Sequence, residues 1–227
     1  MKKIIFAILF TLPSIAFASN FDYITVKGGL SKSNNTGETL YSSYTAYDND
    51  IETAKIFGLG AGKYIANNFR LEIEAVKRWD YKHDTVLIGS PQFTHKGNIE
   101  TRSLFVNGFY DFQDFSLGSK SFKPYIGAGI GFSRNKLGKT QEYSNGTANS
   151  LRIHGKVTSE FVYKLSAGVL LSLSENLSLD VNCQYVDLGD YESTRTLHAG
   201  GSRTEMVPIS GGKITAQELT FGLQYTF

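Results

Sequence analysis

Nine ionisable side chains recur at alternate positions within otherwise apolar stretches: Lys27, Arg70, Glu72, Glu74, Arg78, Asp111, Lys164, Asp180 and Glu218. At this spacing, four cations and five anions suit one of two tasks. They pair across a closed interior as a plug of ion pairs, or they line an ion path or serve as a general acid and base. An uncompensated buried charge costs several kcal/mol, so mutual pairing is the expected state. A second set is His83, His95, His154 and His198. A hydrolytic triad needs a base within hydrogen-bond reach of its nucleophile and a third group to orient the base. None of the four stands beside a strand nucleophile, and none shows metal-ligand spacing. They are expected to be solvated loop residues, and the chain to be a non-enzyme without cofactor or metal. The third set is basic: Arg134, Lys136, Lys139, Arg152 and Lys156 stand against Glu142. Such a cluster suits phosphates or sulfates, through point charges and bidentate guanidinium contacts.

The elements that must position these groups follow from a period of two. Alternating segments run over 23–30, 53–64, 69–79, 99–112, 122–133, 158–171, 177–187 and 214–227. Each is close to the ~9–11 residues a tilted strand needs to cross a bilayer. Leu219, Phe221, Leu223, Tyr225 and Phe227 share one face of the last strand, while Glu218, Thr220, Gly222 and Gln224 share the other. The nine charges all take the parity of the small residues, among them Gly58, Gly60, Gly62, Gly127, Gly129, Gly131 and Gly168. These glycines are expected to leave room for the long side chains opposite. A soluble barrel would turn its apolar face inward. Here an apolar face toward lipid and a polar lumen are expected, which puts Cys183 against lipid as a small hydrophobe.

The connections alternate short and long. The short ones are 65–68, 113–121 and 172–176; the long ones are 31–51, 80–98, 134–157 and 188–213. Bacterial outer-membrane barrels have short periplasmic turns, long extracellular loops and an even strand number. The long set is polar and is expected to be solvated loop, with net charges of −2, 0, +4 and 0 in chain order. Ala199-Gly200-Gly201-Ser202 and Ser210-Gly211-Gly212 predict a mobile fourth loop. Trp79, Phe132, Phe161 and Tyr185 near the loop side, and Tyr64, Phe69, Tyr110, Phe112, Phe122 and Phe227 near the turn side, predict aromatic girdles.

At the other end, Met1-Lys2-Lys3, a short apolar stretch to Leu12 and Ala16-Phe17-Ala18 have the form of a cleaved secretory signal. Residues 1–18 are expected to be removed, leaving 19–227 as one barrel domain with four long extracellular loops. The formal charge of +2 vanishes with Lys2 and Lys3, so nothing points to nucleic acid. A single cysteine excludes an intramolecular disulfide. The expected fold is all-β, an eight-stranded antiparallel up-and-down transmembrane barrel in the outer membrane of a Gram-negative cell.

Several stretches carry a resemblance. Lys123-Pro124-Tyr125-Ile126-Gly127-Ala128-Gly129-Ile130-Gly131-Phe132, the turn from Gly60 to Glu74, Ser103 to Phe112, and Leu177 to Gly189 resemble the small outer-membrane barrel family of opacity-type proteins and the OmpA transmembrane domain. The resemblance implies a surface protein, a structural or adhesive antigen whose loops meet a host surface or matrix protein. It also implies that the terminal row Phe221, Leu223, Tyr225 and Phe227 signals to the barrel-assembly machinery. Expected partners are outer-membrane lipid and lipopolysaccharide. Two other readings stay open at this point: a small-solute or ion channel, and a lipid A-modifying hydrolase.

Overall fold

The computed structural model describes residues 20–35, 45–51, 53–88, 93–118, 120–144, 147–199, 202–205 and 210–227. The expected leader, 1–18, and Gly200-Gly201 of the glycine-rich stretch lie outside the described residues. The strands are β1 (Tyr23–Asn35), β2 (Thr45–Ile51), β3 (Ala54–Ala66), β4 (Phe69–Ile88), β5 (Phe93–Asp111), β6 (Phe115–Leu117), β7 (Lys120–Leu137), β8 (Thr140–Ser144), β9 (Thr147–Gly155), β10 (Val157–Ser172), β11 (Leu177–Ala199), β12 (Ser202–Glu205) and β13 (Ser210–Thr226).

Eight of these close a ring, each antiparallel to both neighbours: β1, β3, β4, β5, β7, β10, β11 and β13. The seam joins the first strand to the last, from Tyr23↔Thr226 to Asn35↔Ile214. Closure matters because an open edge in lipid would leave backbone groups unpaired. Among the short connections, Asn67-Asn68 turns β3 into β4, and residues 173–176 turn β10 into β11. β6 folds back on the start of β7.

The long connections depart from expectation. They were expected as solvated loops, but much of their length is strand. β4 and β5 stay paired from Phe69↔Tyr110 up to Leu87↔Phe93. β2 joins the outer part of β4. The β8–β9 hairpin sits between β5 and β11, and β12 pairs with β11. Ser210–Gly212, expected to be mobile, belong to β13. The four histidines fall in β4, β5, β9 and β11 rather than in loops. A strand leaving a bilayer has no reason to stop pairing at the interface, because its neighbour continues to satisfy its backbone groups. Polar composition therefore marks the change of solvent, not the end of the strand.

Two irregularities mark this change. β4 shifts register between Arg78 and Tyr81, with Asp80 at φ 69°. Asp is among the few non-glycine residues that take this left-handed conformation readily. The extra residue flips the parity, so that Arg78 and Tyr81 both point inward. β11 shifts between Asp187 and Asp190, with Gly189 at φ 72°.

In the membrane-spanning part, Val26, Leu71, Ile73, Val106, Ile126 and Leu223 face outward and are exposed, and so does Cys183. Above it the pattern inverts. Ile56, Tyr81, Ile99, Leu137, Leu188 and Ile214 turn inward into one buried apolar cluster. Aromatic pairs line both ends, such as Phe69–Tyr110 at 5.0 Å on the turn side and Phe132–Phe161 at 5.8 Å on the other. Tyr64 does not join the girdle. It faces Tyr23 at 5.5 Å between ring centroids, and its hydroxyl accepts a hydrogen bond from Gln224 Nε2 at 3.4 Å.

Candidate functional site

All nine alternating ionisable residues are buried, the most accessible being Asp180 at 7%. They fall into three levels along the lumen. At the outer level Arg78 grips Glu218 bidentately, Nε to Oε1 at 2.5 Å and Nη2 to Oε2 at 3.0 Å. Glu218 also accepts hydrogen bonds from Ser31 Oγ at 2.6 Å and Gln184 Nε2 at 2.5 Å. Tyr81 meets the same Ser31 hydroxyl. From Arg78 the network continues through Ser103, Ser133 and Asn135 to the carbonyls of Leu188 and Asp190.

At the middle level Glu74 lies between two lysines, Lys27 at 2.7 Å and Lys164. Lys27 is also 3.9 Å from Glu72. Asn107 donates to Glu74 at 2.9 Å and to Glu72 at 3.3 Å. At the turn-side level Arg70 pairs with Asp111 at 2.9 Å. Its guanidinium carbon lies 4.3 Å from the Phe109 ring centroid and 4.6 Å from that of Tyr125. Tyr125 in turn donates to Asp180 at 2.7 Å and accepts from Asn182 at 2.8 Å.

The glycines opposite these groups are spaces the side chains use. A Cβ at Gly62 would lie 2.1 Å from Tyr23 Cζ, at Gly127 2.3 Å from Phe109 Cδ1, and at Gly129 2.2 Å from Asn107 Oδ1. A lumen of eight strands is just wide enough to be filled by side chains. Here it is filled by ion pairs that tie β4 to β13, β1, β10 and β5. That arrangement crosslinks the barrel. Each cation has a carboxylate partner, whereas Asp180 is held by the Tyr125 hydroxyl. Among the described residues no three His, Cys, Asp or Glu side chains cluster as metal ligands.

Most of the basic set lies on strands. Arg134 and Lys136 lie on the outward face of β7, exposed, and Lys139 is exposed just beyond its end. Lys156 pairs with Glu192 at 2.7 Å. Arg152 sits in β9, opposite Gln141 and His198. Arg134, Lys136 and Arg152 thus stand on strands rather than in a loop, and Lys156 comes beside the end of β7, where its carbonyl accepts from the Leu137 N–H at 3.2 Å. The register also brings Arg134 beside Arg102, and Arg102 beside Lys77. Neither Lys77 nor Arg102 stands out in the sequence, because their proximity depends on strand pairing. Glu100 lies among these cations, and its carboxyl is held below the usual carboxylate range by the Arg102 N–H, then by Lys77. On the far wall Lys213 is raised by its hydrogen bond to Asp187.

Residues 4–227 match the family model of the outer membrane protein beta-barrel domain, and the chain belongs to that family. It is 24% identical to the outer membrane protein PagN of Salmonella typhimurium over 163 residues, 70% of this chain and 65% of PagN, just under two thirds of that protein's length. It is 27% identical to a candidate adhesin of Rickettsia bellii over 201 residues, 86% of this chain and 80% of the relative. Two crystal structures share the fold. Neisserial surface protein A has a TM-score of 0.54 at 17% identity, covering 90% of this chain and 96% of its own. OprG of Pseudomonas aeruginosa has 0.53 at 13% identity, covering 91% and 96%. The protein is an outer-membrane β-barrel with adhesin-like relatives.

Proposed function

We propose that this member of the family is a surface adhesin, whose raised β-sheet presents a binding face to a host surface or matrix protein. The observation that carries this reading is the extension of the barrel beyond its lipid belt. β4 and β5 rise together, and the β8–β9 hairpin spans from β5 to β11. A continuous sheet offers a partner a broader and better ordered surface than separate loops do. The paired lumen supports a binding role over transport, since its ion pairs would have to separate for a solute to pass. The adhesin-like relatives point the same way.

The test uses full-length protein folded in detergent, with folding checked by a heat-dependent shift in gel mobility. Its binding to matrix proteins, serum proteins and sulfated glycans is compared with that of a variant in which 140–155 are replaced by a short turn. The expected result is binding by the intact chain, lost in the trimmed barrel although it still shows the shift. Equal binding by both, or binding to none of the panel, overturns the reading. For assembly, the outward row Phe221, Leu223, Tyr225 and Phe227 is proposed as the terminal signal. Deleting Phe227 is expected to lower the folded fraction in cells but not in refolding from urea.

A further inference from the structure

The outer wall of β4, β5 and β7 holds charges that neither the lumen nor the raised sheet uses. Lys77 stands opposite Arg102, and Arg102 opposite Arg134. All three point outward and are exposed. Neighbouring strands lie about 4.8 Å apart, so three cationic head groups reach one small anionic target. Lys136, two residues along β7 on the same face, adds a fourth. Glu100 takes up Arg102 at 2.8 Å and Lys77 at 3.4 Å. Arg134 and Lys136 form no ion pair with a described residue.

The rung immediately below is apolar: Ala75, Leu104, Phe132 and Phe161. Phe132 is 67% and Phe161 62% exposed. The cations thus begin where the lipid belt ends, on the side of the raised sheet. That side faces the outer leaflet, whose lipid is lipopolysaccharide with a phosphorylated disaccharide headgroup directly above its acyl chains. Arginines suit phosphate because their planar fork binds two oxygens at once. The level is not basic all round the wall, since Lys55 pairs with Asp80 at 3.7 Å and Lys213 with Asp187 at 2.6 Å.

We propose that Lys77, Arg102, Arg134 and Lys136 form a seat for a lipid A phosphate, with its acyl chains laid over Leu104, Phe132 and Phe161. A soluble sulfated glycan would find the same cations but has nothing to place on the apolar rung beneath them. The lipid satisfies both rungs. This site is separate from the adhesive face, and it stands or falls without it.

The test folds the protein into phosphatidylcholine vesicles with and without lipid A. The readouts are the lipid A retained per protein after detergent extraction, and the temperature at which the gel shift is lost. Arg102→Gln with Arg134→Gln is expected to cut retention about thirtyfold, as the loss of two charges near an anionic surface implies. Lys32→Gln, on the exposed face of β1, is expected to behave as wild type. Lipid A stripped of phosphate is expected to be retained as poorly as by the double variant. Folding of each variant is checked in lipid A-free vesicles, and Arg134→Gln alone replaces the double variant if that one does not fold. Unchanged retention by the variant, or equal retention of dephosphorylated lipid, overturns the proposal. Loss of heparin binding without loss of lipid A retention also overturns it, and assigns the row to a soluble glycan.

Discussion

The two halves of this barrel follow the same two-residue period with opposite sign. In the membrane-spanning half Ile73, Val106 and Leu223 face outward while Glu74, Asn107 and Gln224 face inward. In the outer half Arg102, Arg134 and Gln217 face outward while Tyr81, Ile99, Leu137 and Ile214 are buried within. The strands are continuous between the halves. What changes is the medium outside the wall, from hydrocarbon to water. Apolar side chains cover the wall where lipid is the solvent and move inside where water is. In the spanning half, cohesion within the lumen comes from ion pairs; in the outer half it comes from an apolar cluster.

The comparison breaks most severely at the ion pairs. Arg78→Ala leaves Glu218 buried without its partner and is expected to cost about 3–5 kcal/mol, measured by urea unfolding in vesicles. Replacing both residues by apolar ones of similar volume, Arg78→Met with Glu218→Leu, is expected to recover most of that loss. Next comes the outer cluster. Ile99→Ala, at a fully buried position, is expected to cost about 2–5 kcal/mol in the same assay.

Leu223→Arg places a charge on the lipid-facing wall and is expected to cost about 2–4 kcal/mol. Gln217→Arg, six residues earlier on the same face of β13, is expected to cost less than about 0.5 kcal/mol, because water solvates that level. Equal costs at the two positions would show that the inversion is not there. The smallest effect concerns Glu100. Its lowered carboxyl contributes stability above the ordinary value of about 4.3 that is lost as pH falls through the depressed one. A carboxyl titration by NMR is expected to show a midpoint below that value, moving upward in Arg102→Gln.

Much of the spanning half was legible in the sequence. The parity of Arg70, Glu72, Glu74 and Arg78 places four charges on one face wherever the neighbours lie, and the structure buries all four. The outer half was not legible for two physical reasons. The bulge at Asp80 shifts the period by one residue, so a parity count carried past Arg78 assigns the wrong face to Tyr81. The β8–β9 hairpin pairs with β5 and β11, and such non-local pairing leaves no trace in local composition. The basic wall was missed on the same ground. Lys77 and Arg134 are 57 positions apart in the chain and become members of one rung only through two strand registers. Counting back along β5 and β7 pairs Arg102 with Arg134, but counting back along β4 from its tip with β5 pairs Lys77 with Ser103 unless the extra residue of the bulge at Asp80 is allowed for.

The inversion itself is tested by spin labels along the outward face of β5, after Cys183 is replaced by Ser. Labels at Val106, Leu104, Arg102, Glu100 and Asn98 in lipid vesicles report access to oxygen, which dissolves in hydrocarbon, and to a nickel chelate, which stays in water. The account predicts oxygen access at Val106 and Leu104, a crossover at Arg102, and chelate access at Glu100 and Asn98. Oxygen access continuing unchanged to Asn98, or chelate access already at Val106, would contradict it.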